Sequence, residues 1–152
     1  MCIRDRLYMV GQRKFQFNDI TRKRLREYLD NGGVMVADCA VGSSEFDQSF
    51  REEMKQIYKD RQLKPLAANH ALFNFINDTR NVQLAPQART LFGNITQPKL
   101  EVIEVDGMLP VIYSRLSMSA GWEQLPRAYN VGYADDDAVK LGVNVLMYVT
   151  SH

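Results

Sequence analysis

The chain has little of what would announce a chemistry at once. Among its 152 residues there are two cysteines, Cys2 and Cys39, too few for a disulfide framework or a metal quartet. Histidine is as scarce, with His70 inside the chain and His152 at its last position. No apolar run approaches the roughly 20 residues that a membrane-spanning helix needs. The opening MCIRDRLYMVG has no apolar signal-peptide core. Neither charge sign dominates: 19 Lys and Arg against 18 Asp and Glu leave a formal +1. That balance removes any global argument for nucleic acid or an anionic surface. Repeats and low-complexity tracts are also missing. What is there is 45% hydrophobic and 24% charged residues, the balance of a globular protein long enough for one real core.

The order of patterns predicts an α/β domain. Leu7-Tyr8-Met9-Val10 reads as a buried strand. Residues 18–33 read as a helix: Asn18 or Asp19 can accept from the free N–H groups of its first turn, and Gly32 offers a left-handed stop. Ile20, Leu25, Tyr28 and Leu29 share its apolar stripe. The run 34–38 after Gly32-Gly33 has the pattern of a central parallel strand covered on both faces. Ser44-Glu45-Phe46-Asp47 fits a capping box that opens a helix over 45–59, with Phe46, Phe50, Met54, Ile57 and Tyr58 turned inward. This alternation predicts a parallel sheet with helices on both faces.

Further on, 63–78 predicts an extended piece, a loop through Asn69-His70 and one helical turn, and 79–99 an excursion over the surface. Residues 100–114 alternate around Asp106-Gly107, a two-residue hairpin signal, with Pro110 setting the second arm near an edge or at a bulge. The stretch 117–137 is loop-like. A final helix follows over 136–150, with Gly142 open to a close neighbour.

In an open α/β sheet, ligands bind beyond the carboxyl ends of the strands. Asp38, Cys39, Gly42 and Ser43 fall there, at a helix start whose free N–H groups favour anions. Asp47 and Arg51 follow one turn apart. These residues read either as one wall of a binding crevice or as a turn glycine, a cap and a surface ion pair. Trp122 and Glu123, after Gly121, read as a lid over that crevice or as a plug at the end of the core.

Cys39 as a nucleophile needs a base or a lowered pKa, and donors for an oxyanion. His70 is the internal histidine that could serve, in a loop that the fold permits but does not require to return to Cys39. The sharp G-x-[SC]-x-G elbow is absent, so a small buried thiol is the simpler reading. His70, Asp38 and Asp47 lack the spacing of a metal set, and neither a metal nor a cofactor is expected. Arg13, Lys14, Arg22, Lys23, Arg24 and Arg26 form the one argument for a polyanion. Helical spacing spreads them, with Glu27 and Asp30 interleaved, into a solvated face, so nucleic acid is not expected as a partner.

Seven stretches carry a resemblance: YMVGQ (8–12), LREYLDNGGVMVAD (25–38), GSSEFDQSFREEM (42–54), LKPLAANHALF (63–73), VIYS (111–114), GWEQ (121–124) and DDAVKLGVNVLMYV (136–149). Together they resemble a bacterial family known only as a domain of unknown function. That family is similar in fold to class I glutamine amidotransferases and to trehalose-utilisation-type proteins, on a flavodoxin-like scaffold. The resemblance implies a mostly parallel sheet with helices on both faces plus a C-terminal hairpin. It also implies a further βα portion ahead of Leu7, and an extracytoplasmic or membrane-associated setting as often as a cytoplasmic one. Met1–Arg6 resembles the translation of a sequencing adapter at the start of a metagenomic gene and is read as a non-native leader, leaving 7–152 as a single domain.

This chain departs from its relatives where they carry paired cysteines (here Ala40 and Val41), a histidine (here Gln12) and a Cys-Gly (here Ala120-Gly121). The H-x-E pair of a glutaminase is absent too, since Ala71 and Leu72 follow His70. The expectation is therefore a non-catalytic, amidotransferase-like domain. It would bind a small polar or anionic ligand, or a protein partner, through Asp38, Gly42, Ser43, Asp47, Arg51, His70, Trp122 and Glu123. The alternative is a hydrolase or transferase that uses Cys39 with His70.

Overall fold

The computed structural model describes residues 6–124 and 129–152. Met1–Asp5 of the expected leader, and positions 125–128 of the expected 117–137 loop, lie outside the described residues. The elements run β1 (Arg6–Gly11), α1 (Asp19–Asp30), β2 (Val34–Cys39), a 3-10 turn (Ala40–Gly42), α2 (Ser44–Ile57) and β3 (Lys64–Pro65). A second 3-10 turn (Ala71–Asn74) follows, then α3 (Pro86–Phe92), β4 (Leu100–Val105), β5 (Met108–Ser114), α4 (Ser119–Trp122) and α5 (Asp135–Ser151).

Among the described residues, five strands make one sheet in the order β1-β2-β5-β4-β3. β1 and β5 flank β2 in parallel, whereas β4 runs against both β5 and β3. The architecture is thus mixed α/β, with two parallel and two antiparallel ladders rather than a mostly parallel sheet. Nor is the hairpin an addition to the sheet: its second arm, β5, is the central strand. Asp106 and Gly107 both take left-handed φ values, 50° and 80°, as a tight hairpin turn requires.

Pro110 therefore lies in the middle of the sheet, not at its edge. It is tolerated because β4 and β5 slip register between Ile103 and Val105, and β2 pairs with β5 only from Val111 onward. A residue without an N–H sits where neither ladder asks for one.

Strand periodicity divides the core. Met35, Ala37 and Cys39 of β2 pack with Val111 and Tyr113 of β5 under α1 and α2. Val36, Ile112, Leu100 and Val102 face the other way, against α5 and the loops around it. Phe46, Phe50, Met54 and Ile57 of α2 and Tyr58, just past its end, are all buried, and Phe46, Phe50 and Tyr113 form a stacked row. In α1, Leu25 and Leu29 are buried but Ile20, in the first turn, is 65% exposed, so the expected stripe is shorter.

Caps follow the sequence with one shift. Asn18 accepts from the Thr21 N–H, and Ser43, not Ser44, accepts from the Phe46 N–H. The segment 79–99 is less superficial than its composition suggests, because Val82, Leu84, Ala85 and Ala88 are buried and Pro86 opens α3. Three aspartates begin α5, where the helix dipole favours them. Among the described residues, no helix is long and apolar enough to cross a membrane.

Candidate functional site

β2 ends in two residues whose side chains leave the strand in opposite directions, and they build two different structures. Cys39 turns under α2. Beyond it the chain makes a left-handed step through Val41 (φ 49°) and Gly42 (φ 65°) before Ser43 caps α2. Gly42 is obligatory, since a Cβ there would stand 2.5 Å from Val131 Cγ1. A β-branched residue such as Val41 is strained at positive φ, on the order of 1–3 kcal/mol, which is the kind of strain found around ligand sites.

Next to this step lies a half-buried polar cluster at the carboxyl ends of β2 and β5. Asp47, one turn into α2, accepts from the Tyr113 hydroxyl at 2.8 Å and from Arg51 Nε at 3.1 Å. Arg115, just past β5, brings its Nε to 3.5 Å from the same carboxylate oxygen. Arg51 sends its fork to Glu101 of β4 at 2.9 and 2.6 Å. That bond, the leading influence, raises the Arg51 pKa further and keeps it cationic. Arg115 Nη1 also reaches to 3.3 Å from the Cys39 sulfur, and its guanidinium lies over the Phe92 ring. Two cations and two carboxylates, from α2, β4 and the segment just past β5, thus meet in one crevice.

The thiol itself is sealed. Cys39 is fully buried and donates to the Ser43 carbonyl at 3.2 Å. Burial pushes its pKa up, against a smaller opposing pull from Arg115.

Asp38 serves the reverse face. Its fully buried carboxylate accepts from the Met118 and Ser119 backbone N–H groups at 3.1 and 2.8 Å and from the Tyr8 hydroxyl at 3.2 Å. Burial raises its pKa, and these bonds oppose the rise. It anchors the start of α4. Trp122, at the end of α4, donates its indole N–H to the Ala138 carbonyl, lies against the Gly142 backbone and tilts onto Tyr8. Glu123 follows it on the surface.

His70 is on this α5 side as well. Its Nδ1 accepts from the Leu72 N–H, and its ring meets the edge of Tyr148. Burial lowers its pKa. Of the residues singled out in the sequence, Cys39, Gly42, Ser43, Asp47 and Arg51 come together. Asp38, Trp122 and His70 do not join them, and Cys39 and His70 stand on opposite faces of the sheet. Sequence reasoning missed Arg115, Tyr113 and Glu101. Arg115 was findable as the first charge after an apolar strand, at the end where crevices form.

Arg22 and Arg26 of the basic cluster are occupied internally. Arg22 forks onto Glu53 at 2.8 and 3.0 Å, and Arg26 bridges Asp30 and Asp60 while lying over Tyr58. Among the described residues, no three His, Cys, Asp or Glu side chains gather as a metal set.

A family model described as Domain of unknown function (DUF4159) matches residues 6–150. No curated protein matches the chain.

Proposed function

The chain belongs to the DUF4159 family, and from that premise we propose that it is a non-catalytic binding domain for a small anionic ligand at the strand-end crevice. The observation that carries this reading is the convergence of Arg51 and Arg115 around Asp47, beside the left-handed Val41-Gly42 step. Guanidinium groups present forked donors that match a carboxylate or phosphate. Such a ligand would compete with Asp47 and Glu101 for the outer edges of the two guanidinium groups. The buried thiol and the placement of His70 on the other face favour binding over nucleophilic chemistry. The parallel trio β1, β2 and β5, covered by α1 and α2 on one face and α5 on the other, supports an amidotransferase-like, flavodoxin-like ancestry for the domain.

The test is thermal denaturation with phosphate, sulfate, citrate and small dicarboxylates at millimolar concentration. A ligand that binds only the folded state raises Tm in proportion to the logarithm of its concentration. Arg115→Met and Arg51→Met are expected to abolish that rise. Equal rises in both variants, or none in the parent, would overturn the reading.

A further inference from the structure

We propose that Glu101 is a resident stand-in for the ligand of the strand-end crevice, and that the anion which displaces it is a phosphate group, free or as a monoester. The proposal rests on the crevice being an anion site, and adds what it takes and what guards it. The two carboxylates of the cluster are held unequally. Asp47 is fixed by three donors: the Tyr113 hydroxyl, Arg51 Nε and, at 3.5 Å, Arg115 Nε. Glu101 has one partner among the described residues, the fork of Arg51, which it meets with both oxygens at 2.9 and 2.6 Å. That is how a guanidinium holds a bound carboxylate or phosphate.

Glu101 can leave without taking the site apart. Its side chain is 20% exposed, and its neighbours across the sheet are the uncharged Pro65 and Tyr113. Arg51 keeps its Nε on Asp47 and its guanidinium over the Tyr113 ring, 5.7 Å from the centroid. A monocarboxylate, however, offers the fork only what Glu101 already gives. Glu101 is also tethered, so it competes at an effective concentration on the order of millimolar or more. The displacing anion must therefore gain a second cation. Arg51 and Arg115 converge on one oxygen of Asp47, and Arg115 Nη2 has no hydrogen-bond partner among the described residues. A phosphate monoester carries about −1.5 to −2 near pH 7 and gathers three acceptor oxygens in one small group. It can hold the Arg51 fork and reach Arg115 as well.

The test is calorimetric titration of the whole chain and of Glu101→Gln with inorganic phosphate, glycerol phosphate, acetate and succinate. In the parent, phosphate is expected to bind about tenfold or more tighter than acetate. Glu101→Gln keeps the shape and gives up the charge, and is expected to tighten phosphate about tenfold. Glu101→Asp, too short to keep both oxygens on the fork, should move affinity the same way by less. Tightening for inorganic phosphate alone marks the free ion as the ligand, and tightening for glycerol phosphate too marks a phosphate end; both uphold the proposal. Variants that bind phosphate no tighter than the parent, while Arg51→Met abolishes binding, overturn the stand-in and leave the anion site standing. Acetate or succinate bound as tightly as phosphate by the parent overturns the ligand class. No binding of any of the four by parent or variants overturns both this proposal and the anion site beneath it.

Discussion

The two faces of the sheet hold their surroundings by different chemistry. Under α1 and α2 the ties are ion pairs between regular elements: Arg22 of α1 with Glu53 of α2, and Arg51 of α2 with Glu101 of β4. On the α5 face, buried polar side chains instead capture loose backbone. Asn144 of α5 accepts from the Ile76 and Asn77 N–H groups and donates to the Asn77 carbonyl, and Asp38 holds the start of α4. Asp137 accepts from the Gln83 N–H, and the Tyr133 hydroxyl from the Lys99 N–H. The difference follows from what each face must cover. Two long helices satisfy their own backbones and need only be oriented. Irregular chain under α5 carries unpaired N–H and C=O groups that must be met wherever they are buried.

The sharpest way to break this comparison is Asn144→Leu. It keeps the volume and takes the partner from three backbone groups of a part-buried loop, so we expect a loss of about 3 kcal/mol in urea unfolding, at about 1 kcal/mol for each. Asp38→Leu follows at about 3 kcal/mol, and Asp38→Asn, which keeps an acceptor, at about 1 kcal/mol. On the other face, Glu53→Leu alone should cost less than Asp38→Leu, because Arg22 keeps Asp19 as a partner and remains open to solvent. Arg22→Met joined to Glu53→Leu should unfold at nearly the urea midpoint of the parent, since ion pairs are replaceable by packing. A double variant as damaged as Asn144→Leu would erase the distinction.

The smallest effect concerns pH. Burial, reinforced by His152 and opposed by Glu104, holds the His70 imidazole below its usual 6.5. The unfolded chain therefore takes up the proton first. This contribution is intact above 6.5 and is lost as pH falls through the lower folded value. Tm should fall from about pH 7 to about pH 5, and fall less in His70→Asn, which retains an acceptor for the Leu72 N–H.

Much of the fold was legible because its signals are local. The stripe of α2 repeats over the length of the helix, and Asp106-Gly107 declares its turn. The site was legible only in part, because its second half depends on register. In an uninterrupted hairpin closed by Val105 and Met108, Leu100 would lie across from Tyr113. The slip between Ile103 and Val105 puts Glu101 there instead, and so gives Arg51 its partner. Position within β2 was a clue left unused, since adjacent strand residues face opposite ways and Asp38 and Cys39 had to belong to different surroundings. The face that His70 would occupy was not readable, because a long irregular connection decides it. Periodicity likewise gave the direction of the α1 stripe but not how far its cover extends, which is why Ile20 is exposed.

The strand order also sets a timetable. The centre of the sheet, β5, is the last of its strands to be made, and β2 finds it only when residues 111–114 exist. At ordinary rates of synthesis, the β2 edge waits on the order of ten seconds for its neighbour. Long-range parallel pairing is slow to form, whereas the β4–β5 hairpin can close on its own. Folding should therefore begin with that hairpin as a template onto which β2, and then β1, are added, and mutations in β1 should speed unfolding without slowing refolding.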